Sequence, residues 1–390
     1  MLKYTHTKIA CYIGYVVQAI ACSFLSLIFV ILQKTYNISY EKLGRLILVC
    51  FATQLIVDVV SIKIAKYLGY RKMAIASQIF AAVGFASLSV LPKILPAYTG
   101  ITISVIIYSI GSGLVEVIIS PIVEYLPTNN KSGNMALLHS FFCWGNVFVV
   151  VTTTIMIYFM GEDSWDIIAL LWAIIPIVDM TLFFFVPIIE PEKSGKAKTA
   201  KRLLHSPVFY VMLLLMFFSG ASEMSVSNWI SAFAEQSLKL PKLLGDFVGP
   251  CLFAVCMGLG RVLFSFFGDR LSMKKVLLVF SFLSGVSYLI LSLSKSAAVS
   301  LIAGVFIGFC VSVMWPGVLS FSASLFKTGA TAMFGLLAMC GDLGCSFGPW
   351  VTGLVADRYN LNTGFLVACA FPILMFIVMI FMNRNKEKKK

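Results

Sequence analysis

The chain has 390 residues, of which 59% are hydrophobic, 14% aromatic and only 12% charged, with a formal net charge of +13 and a mean hydropathy of +0.95. Soluble domains carry roughly 25% charged residues, so this composition argues against a water-soluble enzyme or a nucleic-acid-binding domain and predicts a fold built in lipid. The surplus of Lys and Arg then reads as a topology signal rather than as a surface for nucleic acid.

A spanning helix needs about 20 mostly apolar residues to cross roughly 30 Å of hydrocarbon. Measured that way, the chain offers twelve spans, at residues 9–32, 43–64, 73–91, 98–122, 134–159, 166–188, 207–233, 245–267, 275–294, 297–325, 330–356 and 363–382. The first, with its glutamine and serines, reads as a retained helix rather than a cleaved leader. Most connections are short, such as "LPKILP" and "MGEDSW"; the exception is "EPEKSGKAKTAKRLLHSP", Glu190 to Pro207. The expected organisation is an all-α integral membrane protein of twelve transmembrane helices in two pseudo-symmetric six-helix bundles. Residues 1–190 form the first bundle, 191–206 a cytoplasmic linker, 207–383 the second bundle and 384–390 a basic cytoplasmic tail, "NRNKEKKK" in its longer context, resting on anionic headgroups. With the N terminus inside, the cytoplasmic segments hold 21 Lys and Arg against 7 in the opposite loops, Arg45 and Arg261 within spans completing the 30. Both termini are therefore expected on the cytoplasmic side of the cell membrane.

Polar residues inside the spans are the candidates for function, because a charge in hydrocarbon costs about 3 kcal/mol on insertion scales and needs a partner or a task. Positions three or four apart share a helix face. Span 1 has Gln18, Cys22 and Ser26 on one face; span 4 has Ser109, Ser112, Glu116 and Ser120; span 7 has Ser219, Glu223, Ser227 and Ser231, with Asn228 and Trp229 beside them. Glu116 lies about 9 Å from the cytoplasmic end of its span, at a depth similar to that of His139 in the next, antiparallel span, so a Glu116–His139 hydrogen bond is expected. Asp58 in span 2 is expected to pair with Lys63 or Lys66, and Arg261 to anchor span 8 to Asp269 or to the gate. Aromatic rings beside polar groups suit sugars, which makes Phe142, Trp144, Trp229 and Trp315 substrate candidates together with Gln18, Asn146, Glu223, Asn228 and Asp342. Gly304 and Gly308 in span 10, and Gly344 and Gly348 in span 11, have the four-residue spacing that lets helix backbones approach. The ten cysteines, nearly all within spans and without C-x-x-C spacing, read as small buried hydrophobes; neither a metal site nor any cofactor is implied.

The halves repeat. At an offset of 195, Gly113 matches Gly308 and Pro121 matches Pro316; at 196, Gly133 matches Gly329, Gly145 matches Gly341 and Asn146 aligns with Asp342. The basic turn "AKYLGYRK" after span 2 has its counterpart in "GDRLSMKK" after span 8.

Six plus six helices, a long central cytoplasmic loop and repeated basic turns resemble the major facilitator superfamily over almost the whole chain. In that family the turn reads roughly G-x-x-x-D-R-x-G-R-R. The second copy here keeps Asp269, Arg270, Lys274 and Lys275 with Ser272 for the glycine, and the first keeps Gly69, Arg71 and Lys72 with Lys66 for the aspartate. The resemblance thus implies a gating turn at Gly69, Arg71, Lys72, Arg261, Asp269 and Arg270. Within the superfamily, "EVIISP" (Glu116 to Pro121), "NMALLHSFFCWG", "SGASEMSVSNW" and "CMGLGR" are similar to helices 4, 5, 7 and 8 of the fucose:proton symporter branch; where that branch has an aspartate in helix 1, this chain has Leu25. Likeness to that branch implies a monomeric secondary transporter in the bilayer that moves a small polar solute, a sugar or related carbohydrate, by alternating access about a midplane site, with Glu116 and His139 coupling it to protons. A proton-antiport exporter of amphipathic compounds and a non-transporting solute sensor remain open as alternatives. The chain carries no phosphate-binding loop, no selectivity-filter-like loop or arginine ladder, and no nucleophile with a base and oxyanion donors.

Overall fold

A computed structural model describes residues 3–127, 131–189, 203–267, 272–326 and 330–387. Among them the chain is helical throughout. The helices follow the expected spans: α1 (Tyr4–Leu27, continuing as Phe29–Tyr36), α4 (Ala97–Glu124), α5 (Lys131–Met160), α6 (Trp165–Trp172 and Ile174–Phe185), α7 (Pro207–Gln236), α9 (Met273–Leu293), α10 (Ala297–Val311 and Met314–Leu325), α11 (Ala330–Arg358) and α12 (Leu361–Ala368 and Ala370–Glu387). Tyr40–Ile94 is one run of helix interrupted at Gly69, giving α2 (residues 40–68) and α3 (residues 70–94), with Tyr40–Ser61 and Tyr67–Ile94 as their membrane-spanning stretches. α8 starts as Lys242–Asp246, passes through a π-helical turn at Phe247–Cys251 and continues as Leu252–Phe267. Among the described residues, eleven of these helices are long and apolar enough to cross a membrane.

In hydrocarbon the backbone has no water to bond, so each helix must satisfy its own ladder, and the places where the ladder fails have identifiable causes. A proline ring clashes with the carbonyl four residues earlier. Pro176 and Pro372 each lie four residues past the point where the first segment of α6 or α12 ends, Pro316 lies four residues past Ser312, the cap of the first segment of α10, and Pro250 sits four residues past Asp246, within the π-turn of α8. Pro349 is different: α11 runs through it unbroken.

The chain divides into two compact units, Met1–Ile38 with Val49–Lys193, and Ser39–Leu48 with Ser194–Lys390. The first residues of α2 thus belong with the C-terminal unit, where Tyr40 N donates to Asp357 Oδ1 at 3.0 Å, Tyr40 OH bonds Gln236 Oε1 and Trp350 Nε1 donates to Glu41 Oε1 at 3.4 Å.

Inside each unit, glycines set the helix spacing. In the first, a Cβ on Gly113 would lie 3.1 Å from Gln54 Cα on α2, and one on Gly145 would lie 2.9 Å from the Ala19 side chain on α1. The second unit repeats this pattern: Gly308, the mate of Gly113, has the Phe253 carbonyl of α8 at 2.5 Å from its Cβ position, and Gly341, the mate of Gly145, lies where α11 meets Gly220 of α7. α7 and α11 are fastened along a whole seam. Gly344 faces the Phe217 carbonyl, and Gly348 has Ala221 O at 2.7 Å and Ala221 Cα at 2.9 Å from its Cβ position. These neighbours are backbone, which cannot rotate out of the way. Gly344→Ala is therefore expected to force α7 and α11 apart and cost about 1–3 kcal/mol, read as a lowered melting temperature in detergent, whereas Gly335→Ala, with open space around it, should melt like the parent.

Candidate functional site

In the first unit, α1, α4 and α5 bring the expected polar face together. Glu116 is half-buried, and its Oε2 accepts a hydrogen bond from Gln18 Nε2 at 3.0 Å. The Glu116–His139 bond expected from sequence is not formed. His139, exposed on the surface of the unit, has Nδ1 3.2 Å from Tyr15 OH, which lies 3.2 Å from Ser120 Oγ; the Tyr15 and His139 rings meet edge-on at 5.4 Å. The spacing explains the substitution of partners, because Tyr15 and Gln18 are three apart on α1 while Glu116 and Ser120 are four apart on α4, so each helix offers two groups on one face. Asn146, buried two turns from His139 on α5, accepts from Ser23 Oγ at 2.7 Å. Phe142 packs on the apolar cluster of α1, α3, α4 and α6 that includes Tyr15, Ile119 and Phe183. Trp144 is elsewhere: it is 42% exposed and lines an apolar groove of about 490 Å³ with Ile13, Val16, Phe148, Ile175 and Val178.

In the second unit, Glu223 is buried just past the midpoint of α7, and its Oε1 lies 3.5 Å from Arg261 Nη2 on α8. Arg261 thus pairs with Glu223; Asp269 and Arg270, with which sequence grouped it, lie outside the described residues. Asn228 donates to Met224 O at 3.0 Å and is buried. Trp229 is fully buried, its indole N–H donating to Pro349 O at 2.9 Å and its ring lying against Gly353 and edge-on to Tyr40. That geometry makes it a clamp between α7 and α11, with no ring face open to a solute. Trp315, half-buried, lays its ring on Gly341 next to the buried Asp342.

At the turn between α2 and α3, Gly69 has φ 75° and ψ 161°, a combination essentially reserved for glycine. Arg71 directs Nη1 at the Phe183 and Phe184 carbonyls, 2.8 and 2.9 Å away, and Nη2 at Val186 O, 2.8 Å away. These are carbonyls left over at the end of α6, where a cation is favoured. Lys72 is exposed. The side chains of Lys63 and Lys66, the expected partners of Asp58, lie outside the described residues.

Three groups escaped the sequence reading. Tyr15 is amphipathic and passes for a core aromatic. Asp246 is buried, bonded to Ser231 and 2.8 Å from Lys242 Nζ; the four-residue spacing from Lys242 was its signal. Asp179 on α6 is fully buried with neither carboxyl oxygen hydrogen-bonded among the described residues, facing Gly14 of α1. A lone acid in an apolar span was the same signal that marked Glu116.

The pattern for the Major Facilitator Superfamily matches residues 11–260 and 247–390. The chain belongs to this superfamily. Its members' fold also appears in solved structures that cover nearly the whole chain. A D-xylose-proton symporter superposes with a TM-score of 0.84 at 12% identity, over 96% of this chain and 97% of the other. The E. coli fucose:proton symporter gives 0.67 at 17% identity, over 96% and 98%, and the nucleoside transporter NupG gives 0.79 at 11%, over 97% and 99%. Among curated sequences, the membrane protein MosC of Rhizobium meliloti is 19% identical over 355 residues, 91% of this chain and 85% of its own length. As a superfamily member, the protein is a multi-pass membrane transporter and not an enzyme.

In this transporter two acidic residues at helix midsections have different surroundings: Glu223 has a guanidinium, Glu116 an amide. Breaking a buried ion pair by removing one partner costs about 3–5 kcal/mol, whereas replacing both with apolar residues is often neutral. Arg261→Met alone should therefore lower thermal stability clearly, and adding Glu223→Leu should recover most of the loss in the same melting assay.

Proposed function

We propose that this transporter carries a small polar solute, a monosaccharide or related carbohydrate, by alternating access in symport with protons, with both termini cytoplasmic. The observation that carries the reading is the setting of Glu116. It is a carboxyl within a membrane helix whose hydrogen bond comes from the neutral amide of Gln18, and among the described residues it forms no ion pair. A carboxyl fixed by a guanidinium keeps its charge through a cycle; one held by an amide can gain and lose a proton while its helix stays in place. Tyr15, bonded to both Ser120 and His139, supplies a hydroxyl route from the polar face of α4 to an exposed imidazole.

The carbohydrate assignment is supported by the chemistry of the neighbouring groups, hydroxyl, amide and ring, at Gln18, Ser23, Asn146 and Phe142, and by the xylose, fucose and nucleoside carriers among the structural neighbours. Trp144 takes less part in this reading than its sequence suggested, because it faces the apolar groove. The loop bias in Lys and Arg supports the orientation.

Purified protein in sealed liposomes tests this. A thermal-shift screen of sugars, nucleosides and amino acids first identifies a stabilising solute; labelled D-xylose, L-fucose and uridine then serve as transport probes. Solute added to energised vesicles should alkalinise the medium on the side from which uptake occurs. Glu116→Gln should abolish accumulation driven by a pH gradient while leaving exchange of labelled for unlabelled solute within about twofold. Accumulation unchanged in that variant would remove Glu116 from coupling, and binding without exchange in the parent would favour a sensor.

A further inference from the structure

A second carboxyl stands beside Glu116. The contacts between α2 and α4 keep a constant register: Ser109 Oγ donates to Cys50 Sγ at 3.1 Å, and Gly113, four residues on, packs against Gln54 and Val57. Numbering advances in step along both, so the two helices run parallel, and the next turn brings Asp58 level with Glu116. The two carboxyls interact electrostatically.

The polar atoms around them are unbalanced. Gln18 and Gln54 direct their amide N–H groups to Glu116 Oε2 and to Cys50 Sγ, 3.0 and 3.3 Å away. Their Oε1 atoms, Asp58 Oδ1 and the hydroxyls of Ser112 and Ser61 are buried with no hydrogen-bond partner among the described residues. The cluster between α1, α2 and α4 thus leaves two amide oxygens and a carboxylate oxygen, which can only accept, without a donor, beside two unpaired serine hydroxyls. A buried acceptor left unsatisfied is costly, and two carboxylates side by side cannot both stay ionised. One proton removes the repulsion and turns one carboxyl into a donor for one of the acceptors beside it.

We propose that Asp58 and Glu116 form a single proton-binding unit that holds one shared proton, with Gln18, Gln54 and Ser112 orienting it. Other titratable groups around the unit are Tyr15 and Cys22 on α1, Cys50 on α2, Tyr108 on α4 and, through Tyr15, His139 on α5; Lys63 and Lys66 follow along α2. This rests on the coupling role proposed for Glu116. It adds that Asp58, on a neighbouring helix, shares the proton and so links α2 to α4 in each cycle.

Carbodiimide modification of the full chain in liposomes, with peptide mass spectrometry at Asp58 and Glu116, tests the sharing without any transported solute, because the reagent attacks protonated carboxyls. Sharing predicts modification at either residue but not at both in one chain. Neutralising one partner removes its repulsion, so Asp58→Asn should lower modification of Glu116 about tenfold at neutral pH, and Glu116→Gln should do the same to Asp58. The conservative Asp58→Glu should restore reactivity at Glu116, with the melting temperature confirming that each variant is folded. Modification of both residues in one chain, or of each one unaffected by the other's substitution, would overturn the proposal. Protection of the pair by sodium chloride but not by choline chloride would also overturn it, in favour of a metal cation. If instead the reciprocal labelling appears but the Glu116→Gln variant still accumulates solute on a pH gradient, the shared proton stands and the coupling role fails.

Discussion

Hydrocarbon gives a polar group no water, and that constraint organises this transporter from backbone to site. It forces every helix to close its own hydrogen bonds, so the breaks in α6, α8, α10 and α12 fall where a proline has removed the bond already. It also makes close contact between backbones valuable, because helices in lipid gain little from burying apolar surface and must gain from packing. The α7–α11 seam is the clearest case. Three glycines of α11 and one of α7 let the two main chains touch, and Trp229 then hydrogen-bonds the Pro349 carbonyl across the joint. A proline in a spanning helix would otherwise weaken it; here its carbonyl is part of the fastening.

The same constraint sorts the acids into distinct kinds of setting. Asp246 is satisfied by a lysine and a serine, Glu223 by an arginine, and Glu116 by an amide, while Asp179 has no hydrogen bond to either oxygen among the described residues. Only groups whose charge is not already balanced can trade protons without dismantling their surroundings, which separates structural acids from those able to take part in a cycle.

Much of this was legible in the sequence, for reasons that are physical. The spans follow from length and hydropathy alone, and the four-residue glycine spacings of spans 10 and 11 pointed to close helix approach because a missing side chain leaves one consequence. The polar face of α4 was equally plain, since four polar residues at helical spacing in an apolar span have few explanations. Partners were not legible. Depth along two antiparallel helices suggested that Glu116 meets His139, but the rotation of α1 decides the matter and places Gln18 there, with Tyr15 standing between Glu116's helix and the imidazole. Arg261 was assigned by proximity in sequence to the turn that follows it, whose Asp269 lies outside the described residues; the Glu223 it meets on α7 was not foreseen. Trp229 and Trp144 looked alike as residues beside polar neighbours; one is sealed in a helix joint and the other lies in an apolar furrow, a difference that depends on which helix covers which face.

The grip of Arg71 has a mechanical implication. Its fork takes hold of three main-chain oxygens at the end of α6 from a position just past the glycine that lets α2 turn into α3. The bend and the far end of the sixth helix are thereby yoked through a planar group that a flexible ammonium cannot imitate. Any tilt of the second and third helices is passed to the sixth as a pull on its last turn, so this corner of the bundle swings as one piece.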